Sequence, residues 1–158
     1  MKVFDASEIL EFAVKIEEKG EEFYRFGAGI LETEEEKKFF QFLADEEVKH
    51  KAVFEKMKSD IGSYEPAESY PGEYMEYMSA YLDNIIFPSG DWESRLSGLK
   101  DSLSVINFGI KIELDSILYY HEIKRFIPEA QHKTIDKIIE EERTHFLKLL
   151  DIKKERAK

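Results

Sequence analysis

The chain contains no cysteine. That absence excludes disulfides, zinc ribbons, thiol nucleophiles and cysteine-ligated iron centres together, and it fits a reducing compartment. Long apolar runs are missing as well, and the opening MKVFDASEIL has neither the basic start nor the apolar stretch of a secretion signal. The expectation is a cytoplasmic protein with no membrane partner. Positive charge is in deficit: the net charge is −11, which argues against a nucleic-acid partner because phosphate binding needs clustered Lys and Arg. Asparagine (Asn84, Asn107) and glutamine (Gln41, Gln131) are scarce beside abundant Glu and Lys, a composition that leans towards a heat-adapted source. At 158 residues the chain is the size of one domain, 1–158, with a core of its own.

What the chain does have is helical periodicity, interrupted at regular places by acids and histidines. In FQFLADEEVKHKAVFEKM the stripe Phe40, Leu43, Glu47, His50, Phe54, Met57 falls on one helix face. Ninety-five positions later, in KIIEEERTHFLKLL, the stripe Ile135, Ile138, Glu142, His145, Leu149, Ile152 repeats it place by place. Such spacing faces a helical partner, and an ionised carboxylate in an apolar seam is costly unless a cation answers it. Two more acids break apolar rows. Glu17 sits among Leu10, Ala13, Gly20 and Tyr24; Glu113 sits among Leu103, Ile106, Ile110, Ile117 and Tyr120. Glu17 to Tyr24 and Glu113 to Tyr120 are the same seven-residue step, 96 positions apart. Glu18 instead joins Glu11, Lys15, Glu22 and Arg25 on a face that water solvates, and His121 and His132 read as surface residues near helix ends.

The first helix starts at Asp5, which forms a capping box with Glu8, and runs to the breaker Gly27-Ala28-Gly29. Thr33 and Glu36 predict a second box, starting a helix that reaches about Ile61, where Gly62 and Pro66 end the pattern. From Ser63 to Ser97 the spacing predicts a linker holding Pro66, Pro71, Pro88, Gly72 and Gly90, with one short helix at EYMEYMSAYLDNII that covers the bundle or makes a subunit contact. A third helix runs from near Leu99 to about Phe126. The break at Ile127-Pro128 starts a fourth, with Pro128 as its first residue, extending towards Lys154. Short connections make antiparallel hairpins, and the long one is a crossover. The fold class expected is therefore all-α: a four-helix bundle of two antiparallel hairpins related by an internal repeat.

Glu17, Glu47, His50, Glu113, Glu142 and His145 are expected at one height in that bundle. Four ionised carboxylates carry about −4, which two divalent cations would cancel. Oxygen and imidazole donors without sulfur suit iron or manganese, and zinc could occupy them without redox chemistry. Glu47 and Glu142 are assigned as bridging ligands, Glu17 and Glu113 as terminal carboxylates, and each histidine as the imidazole of one metal. Tyr24 and Tyr120, two turns from a terminal Glu, are candidates for a hydroxyl contact that orients that carboxylate.

On KIEEKGEEFY (Glu17), DEEVKH (Glu47, His50), KIELDSILYY (Glu113) and EEERTH (Glu142, His145), the sequence resembles the ferritin-like di-iron carboxylate superfamily and its rubrerythrin-like branch. Helix geometry alone leaves Glu46 as a second partner for His50; the resemblance, with a polar flank of Thr134, Lys137, Glu141 and Lys148 on the fourth helix, favours Glu142 and hence Glu47. The resemblance implies two iron ions and reduction of hydrogen peroxide or dioxygen. A homodimer is expected. Rubrerythrins proper append a rubredoxin domain whose four cysteines feed electrons to the site, so here the donor would be an external rubredoxin-like protein or flavoprotein. Where they carry an extra Glu three residues after the terminal Glu of the third helix, this chain has Ser116, which points to a more symmetric site. Ferroxidase activity with iron storage is the alternative. A non-catalytic metal-binding protein is the third reading.

Overall fold

The computed structural model describes residues 4–62, 64, 72–86, 88 and 90–158. Pro66 and Pro71, with the first part of the expected linker, lie outside the described residues. Among the described residues there is no strand, and six α-helices appear: α1 (Ala6–Ala28), α2 (Glu34–Ile61), α3 (Gly72–Tyr81), α4 (Trp92–Ser97), α5 (Ser102–Ile123) and α6 (His132–Arg156). None of them is long and apolar enough to cross a membrane.

Local chemistry sets these boundaries. At α1 the Asp5 carboxylate accepts from Glu8 N at 2.8 Å and Glu8 returns a bond to Asp5 N, completing the box. Thr33 caps α2 through Glu36 N, but the second half of the expected box does not form. The Glu36 carboxylate turns away to a bidentate pair with Arg156 at 2.6 Å, tying the start of α2 to the end of α6. Gly62 ends α2 at φ 58, a conformation that side chains with a Cβ disfavour. Between α5 and α6 the chain passes through two short 3-10 turns, Lys124–Phe126 and Glu129–Gln131, so regular α6 begins four residues after Pro128 rather than at it.

The hairpins α1–α2 and α5–α6 pack against each other with α1 and α5 antiparallel. Tyr119 of α5 donates to Ile9 O near the start of α1, while Gly27 near its end abuts Val105 near the start of α5. Lys58 pairs with Glu11, so α2 finishes beside the start of α1, and the crossover must climb the whole bundle to reach α5. Its contacts trace that climb: Tyr74 OH reaches Glu122, Tyr81 OH reaches Asp115 O at 2.9 Å, and Trp92 Nε1 reaches Glu22 at 2.9 Å. The expected crossover helix is present as α3, continued by a π turn, Leu82–Ile86. The six-residue α4 was not expected; too short to show periodicity, it is set by Asp91 capping Glu93 N.

Two apolar clusters fill the bundle, one around Ile9, Phe54, Tyr120 and Ile138, the other around Phe23, Phe40, Ile106 and Leu149. The expected inner row of α5 needs one correction. Leu103 is 49% exposed, and the buried stripe is instead Ser102, Val105, Ile106, Gly109, Glu113 and Ser116. A row read at strict heptad spacing drifts round a helix of 3.6 residues per turn.

Candidate metal centre

Between the two apolar clusters lies a polar layer made of Glu17, Glu47, His50, Glu113, Glu142 and His145, every one of them at most 5% exposed. Each of the four long helices contributes, because their seams meet at one height. Gly20 on α1 permits a close approach of α2 at the layer. A Cβ there would lie 2.9 Å from Glu47 Oε1, so only glycine lets the α2 carboxylate lean against α1.

The six groups form two overlapping sets. His50 Nδ1 lies 2.9 Å from Glu142 Oε1, 3.4 Å from Glu47 Oε2 and 3.7 Å from Glu17 Oε2. His145 Nδ1 lies 3.3 Å from Glu142 Oε2 and 3.7 Å from Glu113 Oε2. Glu142 therefore addresses both imidazoles, one oxygen each. Glu47 lies in the His50 set. The imidazole rings run nearly parallel, 6.2 Å apart at 25°. Glu18 and Glu21 turn outward to Lys51 and Arg25. His121 lies outside the layer beside Arg143, and His132, the first residue of α6, bonds the Lys124 and Ile127 carbonyls of the preceding turn.

The tyrosines exchange partners. Tyr24 OH donates to Glu113 and Tyr120 OH to Glu17, each reaching the acid of the opposite hairpin rather than that of its own helix. Seven residues along a helix amount to roughly 10 Å of rise, too far for the hydroxyl to come back to its own Glu. The antiparallel neighbour brings the other Glu to the right height.

Electrostatically the layer is under tension. Burial, then the negative charge of Glu142, pushes the carboxyls of Glu47 and Glu113 well above the usual range. Glu142 itself is pulled up by burial, but Glu113, His145 and His50 around it outweigh that and hold it ionised. Burial likewise opposes charge on His50, and the carboxylates of Glu142, Glu17 and Glu47 outweigh it, so its pKa is raised. Even so, Glu47 Oε2, His50 Nδ1, Glu113 Oε2 and Glu142 Oε1 are buried with no aligned hydrogen-bond partner. Orphaned buried polar atoms are rare and costly. Here four of them, from three helices, face one centre with the oxygen and nitrogen donors that a hard or borderline divalent cation prefers. The layer fits a metal.

A family model described as Rubrerythrin matches residues 8–153. The chain belongs to the rubrerythrin family. Among solved structures, a Thermotoga maritima protein described as ferritin-like and diiron-carboxylate is 33% identical over 99% of both chains, with a TM-score of 0.78. A hypothetical protein from Pyrococcus furiosus, 21% identical over 96% of this chain and 89% of its own, shares the fold with a TM-score of 0.67. No curated protein matches significantly. A rubrerythrin-family bundle holding a buried carboxylate and histidine cluster is thus a di-iron type of protein.

One participant was not visible in the sequence. Glu141, read as part of a polar flank, places Oε2 2.9 Å from His50 Nε2, across the gap between α6 and α2.

Proposed function

We propose that this rubrerythrin-family protein is a di-iron oxidoreductase that reduces hydrogen peroxide or dioxygen to water with electrons from an external redox protein. The observation that carries the reading is the convergence of orphaned Glu47, His50, Glu113 and Glu142 atoms on one buried centre. Glu17, Glu47 and His50 would hold one ion and Glu113 and His145 the other, with Glu142 shared. Two ferrous ions side by side would supply both electrons for one O–O bond, so that peroxide, two electrons and two protons give two waters.

The chain's own part is to prepare and isolate that centre. The hydroxyl protons of Tyr24 and Tyr120 fix one oxygen each of Glu113 and Glu17, leaving the other oxygen of each acid free for the metal. The apolar clusters above and below exclude bulk water, which strengthens every electrostatic interaction in the layer. Without cysteine the chain carries no iron–sulfur relay of its own, and a rubredoxin-like protein or a flavoprotein would reload the centre. We place a homodimer contact on the outer face of the second hairpin, where Leu103, Leu114, Leu118 and Leu147 lie exposed.

The deciding experiment is stopped-flow absorbance of iron-loaded, reduced protein mixed with peroxide without air. Rapid reoxidation is expected. A centre that stays ferrous over minutes would overturn the assignment, and a large hollow assembly on size-exclusion chromatography would favour iron storage instead.

A further inference from the structure

The two imidazoles of the centre are not supported alike. His50 Nε2 meets the Glu141 carboxylate at 2.9 Å. For His145, no carboxylate oxygen among the described residues lies within ion-pair distance of Nε2; both of its carboxylate contacts are made by Nδ1, and the Phe42 ring packs perpendicular to the imidazole with centroids 6.0 Å apart. The internal repeat explains the difference. Ninety-five positions before Glu141 stands Glu46, the residue that would serve His145 if the hairpins matched. Glu46 instead pairs with Lys49, one helical turn on, where the second hairpin has Thr144, and its carboxylate stands beside His50 and Glu141, within 4.8 Å of both. Thr144 bonds its own helix backbone at Glu140 O, and Glu141 crosses to α2.

We infer that Glu141 makes the two metal positions unequal: the position beside His50 binds the tighter ion, and the position beside His145 holds the exchangeable one. This rests on the two-metal reading above. A carboxylate that accepts the outer N–H of an imidazole fixes its tautomer, so the inner Nδ1 lone pair faces the centre, and it makes that nitrogen a stronger donor. Such support is worth about 10- to 100-fold in metal affinity. Glu141 is a positioning residue here and not a ligand of the centre, because it touches the far side of the ring and its other oxygen faces Lys137 at 3.9 Å.

The test is titration of the metal-free protein with cobalt(II), read by calorimetry and visible absorbance, with crystals grown at one cobalt per chain for anomalous scattering. Two steps separated by about 10- to 100-fold are expected, with the first ion beside His50. Glu141→Ala should weaken the first step by that factor and leave the second, Glu141→Gln should fall between, and exposed Glu140→Gln should change neither. Two equal steps, a first ion beside His145, or an unchanged first step in the alanine variant overturns the inference while leaving two metals in place. Binding of fewer than two ions by the unaltered protein overturns the two-metal reading itself. Circular dichroism of the metal-free variants separates loss of affinity from loss of fold.

Discussion

The first hairpin, α1–α2, and the second, α5–α6, carry the same caps, layer residues and tyrosines on different packing. Asp5 and Asp101 cap their first helices with a full box, and Glu17 and Glu113 follow at the same interval, as do Tyr24 and Tyr120. The small residues fall elsewhere. In the first hairpin Gly20, one turn after Glu17, makes room for Glu47; its counterpart is Ser116. In the second, Gly109, one turn before Glu113, makes room for Phe23 and Leu149, and its counterpart is Ala13. One glycine serves the centre and the other serves the core. The chemistry has kept the repeat in register, while packing has been free to diverge wherever a neighbour could compensate.

The hardest blow to both hairpins at once is Glu142→Ala, since Glu142 alone addresses both imidazoles. Metal retained after dialysis should fall from about two ions per chain to below about one, read by elemental analysis. Glu47→Ala should spare the His145 side, and equal losses in the two variants would show that both acids bridge. Next in size is metal removal. Glu47 and Glu113 carry raised pKa values in the metal-free layer, one in each hairpin. For a carboxyl whose folded pKa is raised, the stabilisation is complete below its unfolded value and is lost as pH climbs towards the folded one. His50, also raised, adds to the loss above its own unfolded value. The metal-free Tm should therefore drop from pH ~5 to pH ~8, and the metal-loaded Tm should not follow it. A metal-free Tm that rises over that range would show the acids already ionised and tolerated.

Gly20→Val should cost about 1–3 kcal/mol and weaken metal binding, because the new side chain displaces Glu47; Ser116→Ala, at the matching place, should cost less than about 1 kcal/mol. Chemical denaturation of the metal-free forms and metal titration measure the two effects. Similar costs would mean that Ser116 also supports the centre. Tyr24→Phe and Tyr120→Phe form a symmetric pair. Each leaves one buried carboxylate oxygen unsatisfied at about 1–3 kcal/mol, and unequal costs would break the equivalence of the staples.

The repeat is why so much of the fold could be read in advance. A single Glu three residues before a His is common, but the same pair in matching apolar stripes fixes the helices, their facing sides and the height of the layer. What periodicity cannot express is contact between chain segments far apart in sequence. The partner exchange of Tyr24 and Tyr120 needs the antiparallel pairing of α1 and α5, and the capture of Glu36 by Arg156 joins residues 120 positions apart in sequence. Glu141 was hidden for the same reason. On its own helix it is one acid of a solvated run, and its role exists only because α2 brings His50 within 2.9 Å.

The smallest test concerns the helix starts, where the hairpins agree and then part. Asp5 and Asp101 stand 96 residues apart and cap by the same device, so Asp5→Ala and Asp101→Ala should each cost about 1 kcal/mol and lower Tm by a similar few degrees. The second helices lack that symmetry. Thr33 caps α2, whereas α6 has no side-chain cap and enters through Pro128 and a 3-10 turn. Thr33→Ala should therefore approach the cost of the Asp variants, while Gln131→Ala should cost close to nothing. If Gln131→Ala proves as costly as Thr33→Ala, the start of α6 is held by a side chain after all, and the hairpins are more alike at their ends than their packing around the metal layer suggests.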